Sequence, residues 1–242
     1  SSSAWRGTVG SRHYVVRVPK NDGVRPLPRY AAESRLLADL ADRGARVART
    51  EIVTVEGVEC AIAPEMPGRP VRPDEWTPEL VADVEATLGV VHETSPARAV
   101  ECDVVSRFHL ATIWPFDDSE LAEHPVADRW PDVLLVLDER RDAILETGRA
   151  PSTVVHTDLH WDHVLVHDGR LSALLDFGDA FAGPAAWDHA CLRYYHGDEV
   201  ARPVAGARWD SEAVQLLGAA FALYKLAKTP ARDDVVLSLI HI

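Results

Sequence analysis

A chain of 242 residues, 47% of them hydrophobic, is long enough for one large domain or two lobes around a cleft, and its apolar content excludes a disordered chain. Its formal net charge of −13 argues against nucleic acid as a partner. That balance suits a cationic small molecule, or plain solubility. Three widely spaced cysteines, Cys60, Cys102 and Cys191, form neither a disulfide framework nor a metal-ligand spacing, so a reducing, cytoplasmic setting is expected. No run approaches the ~20 apolar residues of a membrane span and no signal peptide is visible, so no membrane partner is expected. The first residue is Ser1 rather than Met, so a segment upstream is expected.

Taken in order, residues 5–9 and 13–18 read as strands around a Gly10-Ser11-Arg12 turn, preceded by three serines. A helix is expected over 28–42, opened near a proline and stopped before Gly44. Leu36, Leu37 and Leu40 form its apolar stripe, with Tyr30 and Ala31 a turn and more earlier. Residues 50–55 and 58–63 read as a hairpin around Glu56-Gly57. The Pro/Gly/Arg stretch 68–73 reads as a linker, dividing the chain into residues 1–68 and 69–242. Beyond it the pattern turns helical. Residues 78–93 carry Leu80, Val81, Val84, Leu88 and Val91 on one stripe, with Thr77 as cap. Residues 104–113 and 127–145 are further helical patterns, and the segment 114–123 between them is acidic and aromatic. Residues 164–167 and 171–175 are strands around Asp168-Gly169, and 187–195 is an apolar helix. Residues 201–207 read as a Pro/Gly/Ala loop. A last amphipathic helix spans 211–227, capped by Ser211.

The chemistry concentrates between residues 154 and 190. His156-Thr157-Asp158-Leu159-His160 follows an apolar run, and His163 stands five residues after Asp158. After the next hairpin comes Leu174-Leu175-Asp176-Phe177-Gly178-Asp179. A His-x-Asp loop, a short hairpin and then Asp-Phe-Gly is how a phosphoryl-transfer site is laid out in the protein-kinase pattern. Such a site needs charge neutralised and a hydroxyl held in line. Asp158 would accept the hydroxyl proton or orient that hydroxyl. Asp176 would hold a metal bridging nucleotide phosphates, because hard cations prefer carboxylate oxygen. His163 stands where that pattern puts a metal-binding Asn, and neutral imidazole also ligates metals. His156 would brace the loop by hydrogen bonds. The bland alternatives are a turn cap for Asp158, a strand-end residue for Asp176 and a packed histidine for His163. Both aspartates at this spacing, between these strands, favour the site. Asp188 opens a helix and reads as a structural cap.

These motifs resemble those of the aminoglycoside phosphotransferase family. Residues 156–160 are similar to its His-Gly-Asp-Leu-His, with Thr157 in place of the usual Gly. Leu175-Asp176-Phe177-Gly178-Asp179 is similar to its Ile-Asp-Phe/Trp-x-Asp, and residues 184–190 to its Asp-Pro-x-x-Asp-Leu-Ala. His163 replaces the usual Asn, as in some macrolide and aminoglycoside kinases of the family. Cys60-Ala61-Ile62-Ala63-Pro64-Glu65-Met66-Pro67-Gly68 resembles its hinge, an apolar strand followed by Glu-x-x-Pro-Gly. Residues 177–192 and the last helix are faintly similar to hygromycin B kinases.

The resemblance implies an α+β, bilobal protein-kinase-like fold. A small antiparallel β lobe (residues 1–68, hinge near 64–68) would bind nucleotide. A larger, mainly helical lobe (69–242) would hold the catalytic loop and the acceptor. It implies transfer of the terminal phosphate of ATP or GTP to a hydroxyl of a small molecule, with one or two Mg2+ ions on His163 and Asp176. Arg17 would steady the phosphates, with Lys20 as the fallback, and Glu33 would pair with Arg17. The alternatives are a solvent-facing strand residue and a solvated helix face. Ser2 and Ser3 would belong to a loop over the phosphates. The Pro64 carbonyl and the Met66 N–H would bind adenine. Asp117, Asp118 and Glu120 would face a cationic acceptor, unless the acidic run is only a solvated face, and Asp179 would serve the loop geometry or the substrate rim. An aminoglycoside-type antibiotic is the first expectation for the acceptor, implying resistance or self-protection. A macrolide is the second, and a choline-, homoserine- or sugar-type metabolite the third. A catalytically dead nucleotide-binding protein is the non-enzyme alternative. Retention of both Asp158 and Asp176 stands against it.

Overall fold

The computed structural model describes residues 2–20, 30–102, 131–149 and 153–228. Around Gly10, at φ +61°, the chain folds into a hairpin of β1 (Ser2–Val9) and β2 (Arg12–Pro19), in register from Ser2↔Pro19 to Val9↔Arg12. Helix α1 (Tyr30–Asp42) follows and buries Tyr30, Leu36, Leu37 and Leu40. Ala32 rather than Ala31 turns inward with them. Next come β3 (Glu51–Val55) and β4 (Val58–Pro64), joined by Glu56 and Gly57, both at positive φ as a tight two-residue hairpin requires. The sheet order is β1-β2-β4-β3, antiparallel throughout.

The chain leaves this sheet through Gly68, at φ +106°. A Cβ there would stand 2.3 Å from the Val166 carbonyl oxygen, so only glycine lets the two backbones meet. Strand β5 (Arg69–Pro70) then enters a second sheet, whose other strands lie later in the chain. Helix α2 (Pro78–His92) is capped by Thr77, whose hydroxyl accepts from the Leu80 N–H at 3.2 Å. Its Leu80, Val84, Leu88 and Val91 are fully buried, worth roughly 1.5–3 kcal/mol each against exposure, as an upper bound. Helices α3 (Pro96–Glu101), α4 (Pro131–Glu139) and α5 (Arg141–Gly148) follow, then β6 (Thr153–Val155), β7 (Val164–His167) and β8 (Arg170–Leu174). The second sheet has the order β5-β7-β8. Its Asp168-Gly169 turn has both residues at positive φ. Strand β9 (Phe181–Gly183) pairs with β6. Helices α6 (Ala186–His196), α7 (Asp198–Ala205) and α8 (Ser211–Lys228) complete the described fold. The class is α+β, as expected, with eight α-helices among the described residues.

The two sheets are tied together by polar contacts. A parallel bridge joins Val47, between α1 and β3, to Leu174 of β8. Asp83 of α2 accepts two hydrogen bonds from Arg170, both 2.6 Å, and lies 3.0 Å from Arg46. The Arg170 contact holds its carboxyl below the usual carboxylate range, against the opposing pull of desolvation. Asp39 near the end of α1 is likewise forked by Arg98 of α3 at 2.8 and 2.6 Å.

Several expectations need correction. Ser2 and Ser3 are paired strand residues opposite Pro19 and Val18, not a loop. The pattern over 127–145 is not one helix in its described part, 131–145. It breaks at Arg140 (φ −96°, ψ 0°), which closes α4 and opens α5, with Leu137 and Ile144 buried on either side. The expected loop 201–207 is largely helix α7, despite Pro203 inside it. Val200, Ala201, Val204 and Ala205 recur at helical spacing and are all buried, which outweighs the ~3 kcal/mol cost of an interior proline. The cap of α8 is Asp210, whose Oδ1 accepts from the N–H groups of Glu212 and Ala213, both at 3.1 Å. Residues 104–113 and the acidic segment 114–123 lie outside the described residues. No described helix is long and apolar enough to cross a membrane.

Candidate active site

Strand β6 is apolar and buried, and it delivers His156 to a loop that cannot stay helical or extended. Thr157 sits at φ +79°, a left-handed conformation that a β-branched residue adopts only under constraint. This explains why glycine is usual at that place in the family that the motif resembles. The constraint is Asp188. Its side chain is fully buried, and its Oδ2 accepts from the His156 N–H at 2.8 Å and from His92 Nε2 at 2.9 Å. Its Oδ1 accepts from the Thr157 N–H at 2.8 Å. Burial pushes the Asp188 pKa up, but the hydrogen bond and charge of His92, with His156 behind them, hold it below the usual range. Asp188 is therefore a brace for the loop ahead of Asp158, not the cap of its own helix.

His156 also braces. It is wholly buried, and burial lowers its pKa, so the ring is neutral. Nε2–H donates to the Leu175 carbonyl at 2.7 Å, and Nδ1 accepts from the Asp158 N–H at 3.2 Å. One ring thus ties the residue before Asp176 to the backbone of Asp158. Cys191 adds a third tie. Its sulfur accepts from the Leu159 N–H at 3.2 Å and donates to the Thr157 carbonyl at 3.5 Å. His196 donates to the Leu159 carbonyl at 2.8 Å.

On this scaffold Asp158, His163 and Asp176 converge. His163 Nδ1–H donates to the Asp158 carbonyl at 2.7 Å and lies 3.5 Å from that residue's Oδ2. That bond fixes the tautomer and leaves the Nε2 lone pair 3.7 Å from Asp176 Oδ2. Leu175 N–H donates to the His163 carbonyl at 2.9 Å, extending the β7–β8 hairpin to the two ligand candidates. Asp176 occupies the left-handed region (φ +62°) and is exposed. Gly178 leaves it room, since a Cβ there would lie 3.2 Å from Asp176 Oδ1. Asp179 is exposed, and its backbone carbonyl accepts from the Thr157 hydroxyl at 3.3 Å.

The first sheet contributes from above. Arg17 of β2 donates to Glu33 Oε2 at 2.5 Å and stands 3.5 Å from Asp176 Oδ1, with its guanidinium over the Tyr30 ring. Burial raises the Glu33 pKa, partly offset by Arg17. Glu33 is buried rather than a solvated helix face, and Arg17 is mostly covered. Ser3 lies across the hairpin from Val18, one position beyond the Ala4↔Arg17 pair. At the end of β4, Glu65 N–H donates to the His13 carbonyl at 3.0 Å. Strand alternation therefore turns the Pro64 carbonyl to the opposite edge, past the last β3 pair, Glu51↔Ile62. Met66 follows just beyond the strand end. Lys20 ends the described stretch after β2. Asp117, Asp118 and Glu120 lie outside the described residues.

Two residues were not legible as site members. Tyr195 of α6 donates its hydroxyl to Asp158 Oδ1 at 3.4 Å, and Lys225 of α8 places Nζ 3.6 Å from the same oxygen. A signal for Lys225 existed. It continues the buried stripe Val214, Leu217, Phe221 at helical spacing, where a lone cation is out of place.

A model of a phosphotransferase enzyme family, APH, matches residues 1–223. No curated protein matches the sequence. The GDP and kanamycin complex of APH(2")-IIia superposes with a TM-score of 0.70 at 17% identity, covering 99% of this chain and 91% of that one. The apoenzyme of macrolide 2'-phosphotransferase MphH from Brachybacterium faecium gives 0.66 at 21% identity, with 98% and 90% covered. A thermostable mutant of aminoglycoside phosphotransferase APH(4)-Ia, in a ternary complex with ADP and hygromycin B, gives 0.62 at 15%, with 98% and 87% covered. At these identities the likeness establishes the fold, the protein-kinase-like one.

Proposed function

Because this chain belongs to the phosphotransferase enzyme family, we propose that its cleft moves the terminal phosphate of ATP or GTP to a hydroxyl of a small molecule. The observation that carries this reading is the convergence of Asp158, His163 and Asp176 around one imidazole, with Arg17 at the far side of Asp176. The acceptor hydroxyl lies against Asp158. Its oxygen bonds to the terminal phosphorus as the bridging P–O bond breaks. The electron pair leaves on the nucleoside diphosphate, and the hydroxyl proton passes to the Asp158 carboxylate. Arg17, held by Glu33, is a bidentate donor for the phosphates.

Two residues fit a divalent cation. His163 has its Nδ1–H tied to a backbone carbonyl, the arrangement typical of ligating imidazoles, with Nε2 facing Asp176. Among the described residues no group of three or more His, Cys, Asp or Glu side chains forms a cage. The Asp176 carboxylate and the His163 imidazole would hold such an ion together with nucleotide oxygens. Such an ion would neutralise charge on the transferred group. The Pro64 carbonyl and the N–H of Met66 take the adenine or guanine edge, with Ser2 and Ser3 towards the phosphates. The division at residues 64–68 makes 1–68 the nucleotide lobe and 69–242 the acceptor lobe.

For the acceptor we favour an aminoglycoside-type antibiotic, supported by the acidic balance of the chain and by the kanamycin and hygromycin B held by two of its structural neighbours. A macrolide is the second reading, since MphH is a structural neighbour as well. The test is a panel of aminoglycosides, macrolides and metabolite alcohols, scored for acceptor-stimulated nucleotide consumption and for the mass gain of one phosphoryl group. Stimulation by an aminoglycoside is expected. Stimulation by a macrolide alone, or by a metabolite alone, would replace that acceptor. No stimulation by any acceptor would contradict the activity.

A further inference from the structure

The cation at the acceptor side of Asp158 has no part in the reading above, although the inference rests on that reading. Lys225 enters the site from α8, the last described helix. Its ammonium lies over two aromatic faces, 4.9 Å from the Phe221 centroid and 5.3 Å from that of Tyr195. These contacts hold the head group in place, and the side chain is only 25% exposed. Its nearest described acceptor is Asp158 Oδ1 at 3.6 Å, beyond a good hydrogen bond. An ammonium carries three N–H donors, and among the described residues none has an acceptor at bonding distance. A largely covered ammonium, fixed over two rings and beside a single carboxylate oxygen, is placed to meet an anionic oxygen that arrives with the ligands.

The two oxygens of Asp158 are used differently. Oδ1 faces Lys225 and Tyr195, and Oδ2 faces His163. On the other side of the imidazole, Asp176 Oδ1 faces Arg17. The line from Asp176 to Asp158 is therefore bracketed by one cation at each end. A phosphoryl group leaving the nucleotide side moves away from Arg17 and towards Lys225. We propose that Lys225 is a catalytic residue that binds the transferred phosphoryl group on the acceptor side as it passes to the hydroxyl at Asp158. Its N–H donors then reach the phosphoryl oxygens, and the charge that grows there is met by a cation already in place.

The experiment compares binding of ADP (or GDP, if that binds more tightly) with binding of the same diphosphate plus Mg2+ and aluminium fluoride. The metal fluoride stands in for the phosphoryl group in flight. Wild type should bind the diphosphate at least tenfold more tightly with the fluoride present. Lys225→Met should lose most of that gain, with affinity for the diphosphate alone within about twofold of wild type, and Lys225→Arg should recover part of it. Diphosphate binding also reports a folded cleft, and Lys225→Gln takes the place of the Met variant if the latter does not fold. A neutral variant that keeps the whole gain overturns the proposal and leaves the phosphotransferase reading standing. A wild type that binds diphosphate but gains nothing from the fluoride overturns both.

Discussion

The loop at residues 156–163 and the sheet β1–β4 face the same site but are built on different principles. The loop is backed by buried polar groups with matched partners. Asp188, His156 and Cys191 are all fully buried, and together they bond the backbone of Thr157, Asp158, Leu159 and Leu175. The sheet has little core of its own. In β4 only Cys60 and Ala61 are buried, while Trp5, Val9 and Val55 are more than half exposed. Its link to the chemistry runs through one guanidinium, Arg17, clamped by Glu33 of α1. In the proposed reading, the acceptor side is thus braced before any ligand arrives, and the nucleotide side has the freedom to adjust.

The difference can be broken most severely at Asp188. Asp188→Ala strands the N–H groups of His156 and Thr157 and the His92 ring in a dry interior. Urea unfolding should show a loss of about 3–5 kcal/mol. A loss below ~1 kcal/mol would mean the loop is held by other means.

Acid should sharpen the contrast, because the buried histidines lie on the loop's side. Burial pushes His189 and His196 each down to about 4. Among the described residues, neither ring nitrogen of His189 has a hydrogen-bond partner. The unfolded chain takes up these protons near pH 6.5, before the folded one does. Stability is therefore full above about pH 6.5 and falls as pH drops towards 4, by a few kcal/mol for the pair. Unfolding curves at pH 7.5 and 5 check this, and equal midpoints would contradict it. Substituting His189 by Gln should flatten the dependence.

The smallest effect lies at the junction of the two regions. His163→Ala should raise the divalent-cation concentration for half-maximal rate about 10–100-fold. An unaltered metal requirement would make His163 a packing residue.

How much of this was legible in the sequence follows the same division. Hairpins with glycine turns and helices with an apolar stripe were readable because each signal is local. Glu56-Gly57 and Asp168-Gly169 sit in the expected turns, and the stripe of α2 is buried where its spacing says. Asp158, His163 and Asp176 came from motifs on two loops, and Arg17 and Glu33 from the family resemblance on a strand and a helix. Asp188 was recognised but given the wrong duty. Its three donors come from residues 31 to 96 positions away, which no local pattern records. Tyr195 was missed for the same reason, whereas Lys225 had a local signal, a cation on the apolar stripe of α8, that was not read as a site. Residues 201–207 failed because composition was weighed above burial, and the buried face of α7 is created only by α2 and α6, on which it packs.

The account stands or falls on Asp158 facing a hydroxyl while the nucleotide is held elsewhere. The most direct measurement is turnover of Asp158→Ala with the best acceptor of the panel, alongside its affinity for nucleotide. Turnover should fall about 10²–10⁴-fold, with nucleotide affinity within twofold of wild type. Turnover at the wild-type rate would contradict the assignment.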